Sequence, residues 1–351
     1  MDEQLKESGS SATFQQKVWI VCSITALFVL LIWFFIKTFN VFLLILAGAL
    51  IALFFHGFAQ LIQSKLKLGK NASLLVSIVS TFVIIGLLFW FMGARIQAQI
   101  TELAKTLPAT IENAKRQLST TSLGQKLLEK TSSDDVYNKG YAFVSKFFNS
   151  TFGVFTDIYI VLFLGLFFTA APKTYIDGFL LLIPKKAKQT TQNTIDKIGF
   201  TLTKWLKGQV FSMVIVAILK GIALTVMDIP MAAALALIAG ILNFIPNFGP
   251  LISMFPAILI ALTLGINKAI LVVVVYLLIQ ILDGNVITPS IQRKLINMPA
   301  ALIIIAQLFM GIFSGVWGLI LATPIVAIVI VVVQETYVKK MNGNEIQAAS
   351  S

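Results

Sequence analysis

Charge is scarce in this sequence, and acid most of all. Charged residues make up 12% of 351 positions, and 15 Asp or Glu face 27 Lys or Arg. A soluble domain carries about a quarter charged residues, so the deficit excludes an ordinary water-soluble globule. Cysteine and histidine are scarcer still, with Cys22 and His56 the sole examples. One cysteine excludes an internal disulfide, a thiolate zinc cluster and a dithiol redox pair. Cys22 sits in an apolar run and reads as an inert packing residue. His56 has no carboxylate or nucleophile beside it, and the G-x-S-x-G, H-E-x-x-H and P-loop patterns are absent. Catalytic residues, a metal centre and a cofactor are therefore not expected, nor is a nucleotide-driven pump.

What is present is apolar. Hydrophobic residues make up 58% of the chain and Phe alone contributes 28. One core of this size cannot hide that much apolar surface, so lipid must cover much of it. The net charge of +12 does not point to nucleic acid. The Lys and Arg lie between apolar runs, as the positive-inside bias of membrane proteins requires. The composition gives an all-α, polytopic helical membrane protein whose first partner is the bilayer.

A helical span needs about 20 apolar residues to cross about 30 Å of hydrocarbon. After a cytoplasmic tail at 1–17, three transmembrane helices are expected over 18–92: 18–36, a return at 41–58 after a tight turn at Lys37–Asn40, and 72–92. The first run is read as a retained span and not a signal peptide. Residues 93–150 are polar and water-facing, with Ile96, Ile100, Leu103 and Leu107 at helical spacing. A fourth span covers 152–171 within a 151–208 unit. The lysine-rich stretch 172–208 is expected to hold an interfacial helix with Trp205 at headgroup depth. Basic loops at 59–71 and 172–208 place both termini in the cytoplasm, 93–150 outside and the 336–351 tail inside.

Residues 209–335 carry the unusual features. A span at 209–227 is followed by two short runs within 231–265, separated by Asn243, Pro246, Asn247, Gly249 and Pro250. A full span at 268–284 is followed by 300–333, broken at Gly311, Ser314, Gly315 and Gly318. Pro230 and Pro299, Phe244 and Phe313, and Gly249 and Gly318 each lie 69 residues apart. Two broken helical hairpins entering from opposite faces would form an inverted repeat, the plan of many transporters, in about eight transmembrane segments. Two pairs of short tilted crossings are the other reading. Pro246, Gly249, Pro250, Gly315 and Gly318 are the hairpin-tip residues. Backbone groups at such tips must face protein or water, because leaving them bare in hydrocarbon costs several kcal/mol.

Polar side chains inside the apolar runs mark the candidate site. Lys220 lies in mid-span, where a lysine costs about 2.5–3.5 kcal/mol and needs a partner or water. Asp283 ends its span and could pair with Lys220; both are candidate coupling-ion or proton groups. Asn243, Asn247, Asn285 and Gln307 are candidate substrate contacts, and their amides could equally cap helix ends.

The run Asn243-Phe244-Ile245-Pro246-Asn247-Phe248-Gly249-Pro250, with Pro256 beyond it, resembles the signature of the autoinducer-2 exporter family, the PerM-like permeases. Asp283-Gly284-Asn285 with Thr288-Pro289, then Pro299, Gly311, Gly315, Gly318 and Pro324, is similar to its second signature, and Gly208-Gln209 fits as well. Asn247 stands where the family more usually has Tyr, and Lys220 lies outside its pattern. The resemblance implies a transporter of the bacterial cytoplasmic (inner) membrane with eight spans, assembled as a homo-oligomer, with pentamers expected. Some such members are linked to export of a quorum-sensing furanone and others to sodium/proton antiport. The function expected is therefore a secondary transporter, exporter or permease, moving a small polar solute or ion by alternating access. A sodium/proton-type antiporter, a passive pore and a non-transporting scaffold acting through 93–150 are the alternatives.

Overall fold

Helices form wherever the apolar runs lie. A computed structural model describes residues 14–88, 90, 156–287 and 299–339, and every regular element among them is helical. The expectations for 93–150, for most of both tails and for the 288–298 loop lie outside these residues.

Helix α1 runs unbroken from Phe14 to Leu66. The tight turn expected at Lys37–Asn40 is not there. That tetrapeptide holds neither Gly nor Pro, and the Thr38 hydroxyl donates back to the Phe34 carbonyl at 2.7 Å within the helix. At 1.5 Å per residue α1 is about 80 Å long, far more than one bilayer needs. Its outer stretch, Val18–Ile36, is exposed along its whole length, Cys22 included. Cys22 is therefore not packed against the described part of this chain. The chain turns at Lys67, whose φ is 52°, and returns as α2, Lys70–Leu88. The Ser77 hydroxyl ties α2 to the Phe55 carbonyl of α1 at 3.0 Å.

Helix α3, Thr156–Ala170, ends in an 89° bend, and α4, Pro172–Leu181, leaves it nearly at right angles. Pro172 at the start of α4 fits a position with no intrahelical donor to lose. Helices α1 and α3 touch backbone to backbone. A Cβ on Gly48 would lie 2.7 Å from Leu164 Cβ, and one on Gly165 would lie 2.6 Å from Ile51 Cγ2. Small residues allow this approach, the usual means of packing helices in lipid.

Helix α5, Lys185–Val226, joins most of the basic segment to the next apolar run without interruption. Trp205 is correspondingly not a headgroup anchor. It is 2% exposed, packs edge-on to Phe244 with ring centres 5.7 Å apart, and belongs to a core with Leu43, Leu50, Leu202 and Leu321. A second core joins the far half of α5 to Leu235, Ala257, Ala261, Val272 and Tyr276. One long helix therefore supports both cores.

The first hairpin is α6, Ala232–Leu242, and α7, Phe248–Leu262. They are about 16 and 22 Å long, each shorter than the hydrocarbon core. Helix α8, Ile266–Leu282, runs into a π-helical turn at Asp283–Ile287. Helix α9, Ala300–Val333, is broken at Gly315, with φ 58° and ψ −134°, and passes into a second π-helical turn at Gln334–Val338. The two breaks share one geometry. A Cβ on Gly249 would fall 1.7 Å from the Leu242 carbonyl oxygen, and one on Gly318 would fall 1.9 Å from that of Met310. Residues eight apart on a straight helix are about 12 Å apart, so α9 folds back on itself, as α6 and α7 do. Glycines at the 69-residue offset thus do the same work in both hairpins. Past the apolar run, Glu335 accepts hydrogen bonds from Lys197 and Lys339, fastening α5 to the end of α9. This contact holds the Lys339 ammonium above the usual lysine range.

Candidate functional site

The buried face of α5 is written in steps of three and four: Gln209, Ser212, Val216, Lys220 and Leu224. Phe211, Val214, Ile218 and Ile222 on its other side are more than half exposed. Between Gln209 and Leu224 the polar side chains all lie on the protein-facing stripe, so the helix positions them away from lipid, which would not tolerate them.

Two of the sequence-derived candidates, Asn243 and Asp283, gain partners from that stripe. Ser212 donates to Asp283 Oδ1 at 2.6 Å, and Asn243 Nδ2 donates to Ser212 Oγ at 3.1 Å and to Asp283 Oδ2 at 3.4 Å. Gln209 Nε2 donates to the Asn243 carbonyl at 2.6 Å, satisfying a group that the end of α6 leaves without an intrahelical partner. Ser212, Asn243 and Asp283 are 2%, 2% and 6% exposed. Asp283 sits on the first residue of the π-helical turn, a departure from α geometry often found at functional sites.

Lys220 is fully buried, and its partners are not a carboxylate. Its ammonium donates to Ser253 Oγ at 3.3 Å and lies 4.2 Å from the centre of the Tyr276 ring. The Ser253 hydroxyl in turn donates to the Pro250 carbonyl at 2.9 Å. Lys220 and Asp283 form no direct bridge: a hydroxyl and an aromatic face hold the cation, a hydroxyl and an amide donate to the anion, and the carboxylate acts on the ammonium through its charge at longer range.

Asn247 and Gln307 form the third group. Gln307 is fully buried; its Nε2 donates to the Pro246 carbonyl at 2.7 Å, and Asn247 Nδ2 donates to its Oε1 at 3.1 Å. A side chain from the first arm of the second hairpin thus closes over the tip of the first. The second tip is fixed elsewhere: Trp317 Nε1 donates to Asp157 of α3 at 2.7 Å. Asn285 is not brought into the site. It is exposed and bonds the Ile281 carbonyl of its own helix at 2.9 Å, because two residues beyond Asp283 the helix has turned to another face.

Sequence reasoning missed Ser212, Ser253 and Tyr276, and took Gln209 only as part of a motif. The spacing of Gln209, Ser212 and Lys220 on one helical face was the available signal for the first; Ser253 and Tyr276 carry no comparable signal. Among the described residues no cluster of three or more His, Cys, Asp or Glu converges.

Broken apolar hairpins that carry buried amides, with a buried carboxylate and ammonium on the helices beside them, set among long apolar spans, are the build of a multi-pass membrane transport protein. The chain belongs to the AI-2E transporter family, whose profile, AI-2E family transporter, matches residues 22–338. It is similar to "Putative transport protein YueF" of Bacillus subtilis, 23% identical over 82% of this chain and 81% of that protein. It is 24% identical to "AI-2 transport protein TqsA" of Escherichia coli over 79% of this chain and 81% of that one. A match to "Putative transport protein YrrI" of Bacillus subtilis is 32% identical but spans 42% of each chain. The family is one of bacterial transport proteins, which makes this chain a membrane transporter.

Proposed function

We propose that this protein is a secondary transporter, an exporter or permease, that moves a small polar solute by alternating access between the two hairpins. The quorum-sensing signal in TqsA's name, AI-2, is the first solute to test. The observation that carries the reading is the buried Ser212–Asn243–Asp283 cluster beside the tip of the first hairpin. Asp283 is the group that takes and releases the coupling proton or cation; Asn243, Asn247 and Gln307 contact the solute, and Lys220 holds a compensating charge. Opening the Asn247–Gln307 contact would admit solute between the tips.

A cation antiporter of the sodium/proton type is the second reading. The close spacing of carboxylate, hydroxyl and amide around Asp283 favours it, since such a cluster fits a proton or small monovalent ion more readily than a sugar-sized solute. One experiment addresses both. Purified protein is reconstituted in sealed proteoliposomes, with AI-2 flux measured under an imposed proton gradient and internal pH followed after a sodium pulse. AI-2 flux abolished by Asp283→Asn supports the solute reading. Sodium-driven pH change lost in the same variant supports antiport. Flux indifferent to the gradient means a passive pore, and no flux of either kind in the assembled wild type contradicts transport of these probes.

A further inference from the structure

Away from the hairpins, a cleft of about 410 Å³ opens where α1, α2 and the α3–α4 bend meet. His56, Gln60 and Gln63 descend one face of α1, Lys70 and Asn71 begin α2, and Lys173 begins α4. None of the described residues lining the cleft is acidic. Asp177 lies one turn beyond Lys173 and does not line it. Two ammonium groups, an imidazole and three carboxamides therefore face one space with no carboxylate among them.

We propose that this cleft binds the phosphate group of an anionic ligand. Lysines supply charge, carboxamides supply oriented N–H donors, and charge-assisted bonds to phosphate are the strongest such a set can make. The volume exceeds by an order of magnitude the roughly 30 Å³ that one water occupies, which leaves room for a headgroup-sized molecule. The position suits one as well. Helix α4 leaves α3 at 89°; with α3 upright in the bilayer, α4 would lie along its surface and the bend at headgroup depth. Basic pockets between helices at that depth bind anionic lipid heads. A phospholipid head and a free phosphate compound share this chemistry, and two arms of one experiment separate them.

The full chain is placed in phosphatidylcholine nanodiscs with or without phosphatidylglycerol, and retained lipid is counted by native mass spectrometry. In parallel, inorganic phosphate is titrated in detergent while the thermal midpoint is followed. Lys70 and Lys173 are exposed, so the K70Q/K173Q double variant keeps the fold; K185Q/K186Q removes the same charge elsewhere. A lipid site predicts phosphatidylglycerol retained over phosphatidylcholine, retention reduced about tenfold in K70Q/K173Q and unchanged in K185Q/K186Q. A free-anion site predicts a phosphate-dependent rise in midpoint that K70Q/K173Q abolishes. Equal losses in both double variants would reduce the effect to diffuse surface charge and overturn the site. So would the absence of lipid preference together with no phosphate response.

Discussion

Asp283 accepts from Ser212 at 2.6 Å and from Asn243 at 3.4 Å, so two neutral donors help to hold its charge in place. Bonds to a charged group are worth about 1.5–3 kcal/mol. Asp283→Asn should therefore cut coupled flux by about ten- to a hundredfold, with the assembled protein still recovered on size-exclusion chromatography. Ser212→Ala should give a smaller loss, about tenfold, because Asn243 still reaches the carboxylate. Lys220 predicts a divergence between stability and function. A mid-span lysine costs about 2.5–3.5 kcal/mol to insert, and here a hydroxyl and a ring face offset only part of that. Lys220→Met should leave the thermal midpoint unchanged or raised while lowering flux; a lowered midpoint would make Lys220 a structural residue. Asn243, Asp283, Gln307 and Lys220 were legible in the sequence because polar residues in apolar runs stand out. Their partners were less so, since Ser253 and Tyr276 are ordinary in a membrane helix and only tertiary packing sets them beside Lys220.

At the scale of elements, the hairpins depend on two glycines. Any side chain at Gly249 or Gly318 would collide with the Leu242 or Met310 carbonyl. Overpacking costs about 1–3 kcal/mol, so Gly249→Ala and Gly318→Ala should each lower the thermal midpoint. Gly69→Ala, which meets nothing within 4 Å, should not. The 69-residue offset pointed to this equivalence, and Pro246, Gly249, Gly315 and Gly318 marked both breaks. The course of α1 was not legible. Two apolar runs separated by Lys37 and Asn40 suggest a turn, yet without Gly or Pro nothing interrupts the hydrogen-bond ladder. Trp205 misled for a related reason: lysines around it suggest an interface, but a continuous α5 turns that face into the core.

Across the whole molecule, α5 carries both cores, and the first arm of the second hairpin meets the tip of the first through Gln307 and Asn247. This contact should couple the hairpins: Asn247→Ala and Gln307→Ala should show an interaction energy of about 1 kcal/mol in a double-mutant cycle on thermal stability. Alternating access requires that the space around these buried groups be reached in turn from both membrane faces. Two-sided labelling tests it most directly. In a Cys22→Ser background, Asn243→Cys, Asn247→Cys and Gln307→Cys are exposed to a membrane-impermeant maleimide from one face at a time, in right-side-out and inverted vesicles. Alternating access predicts labelling of these positions from each face, with an imposed proton gradient shifting the balance between them. Labelling confined to one face under every condition, or none at all, would contradict it.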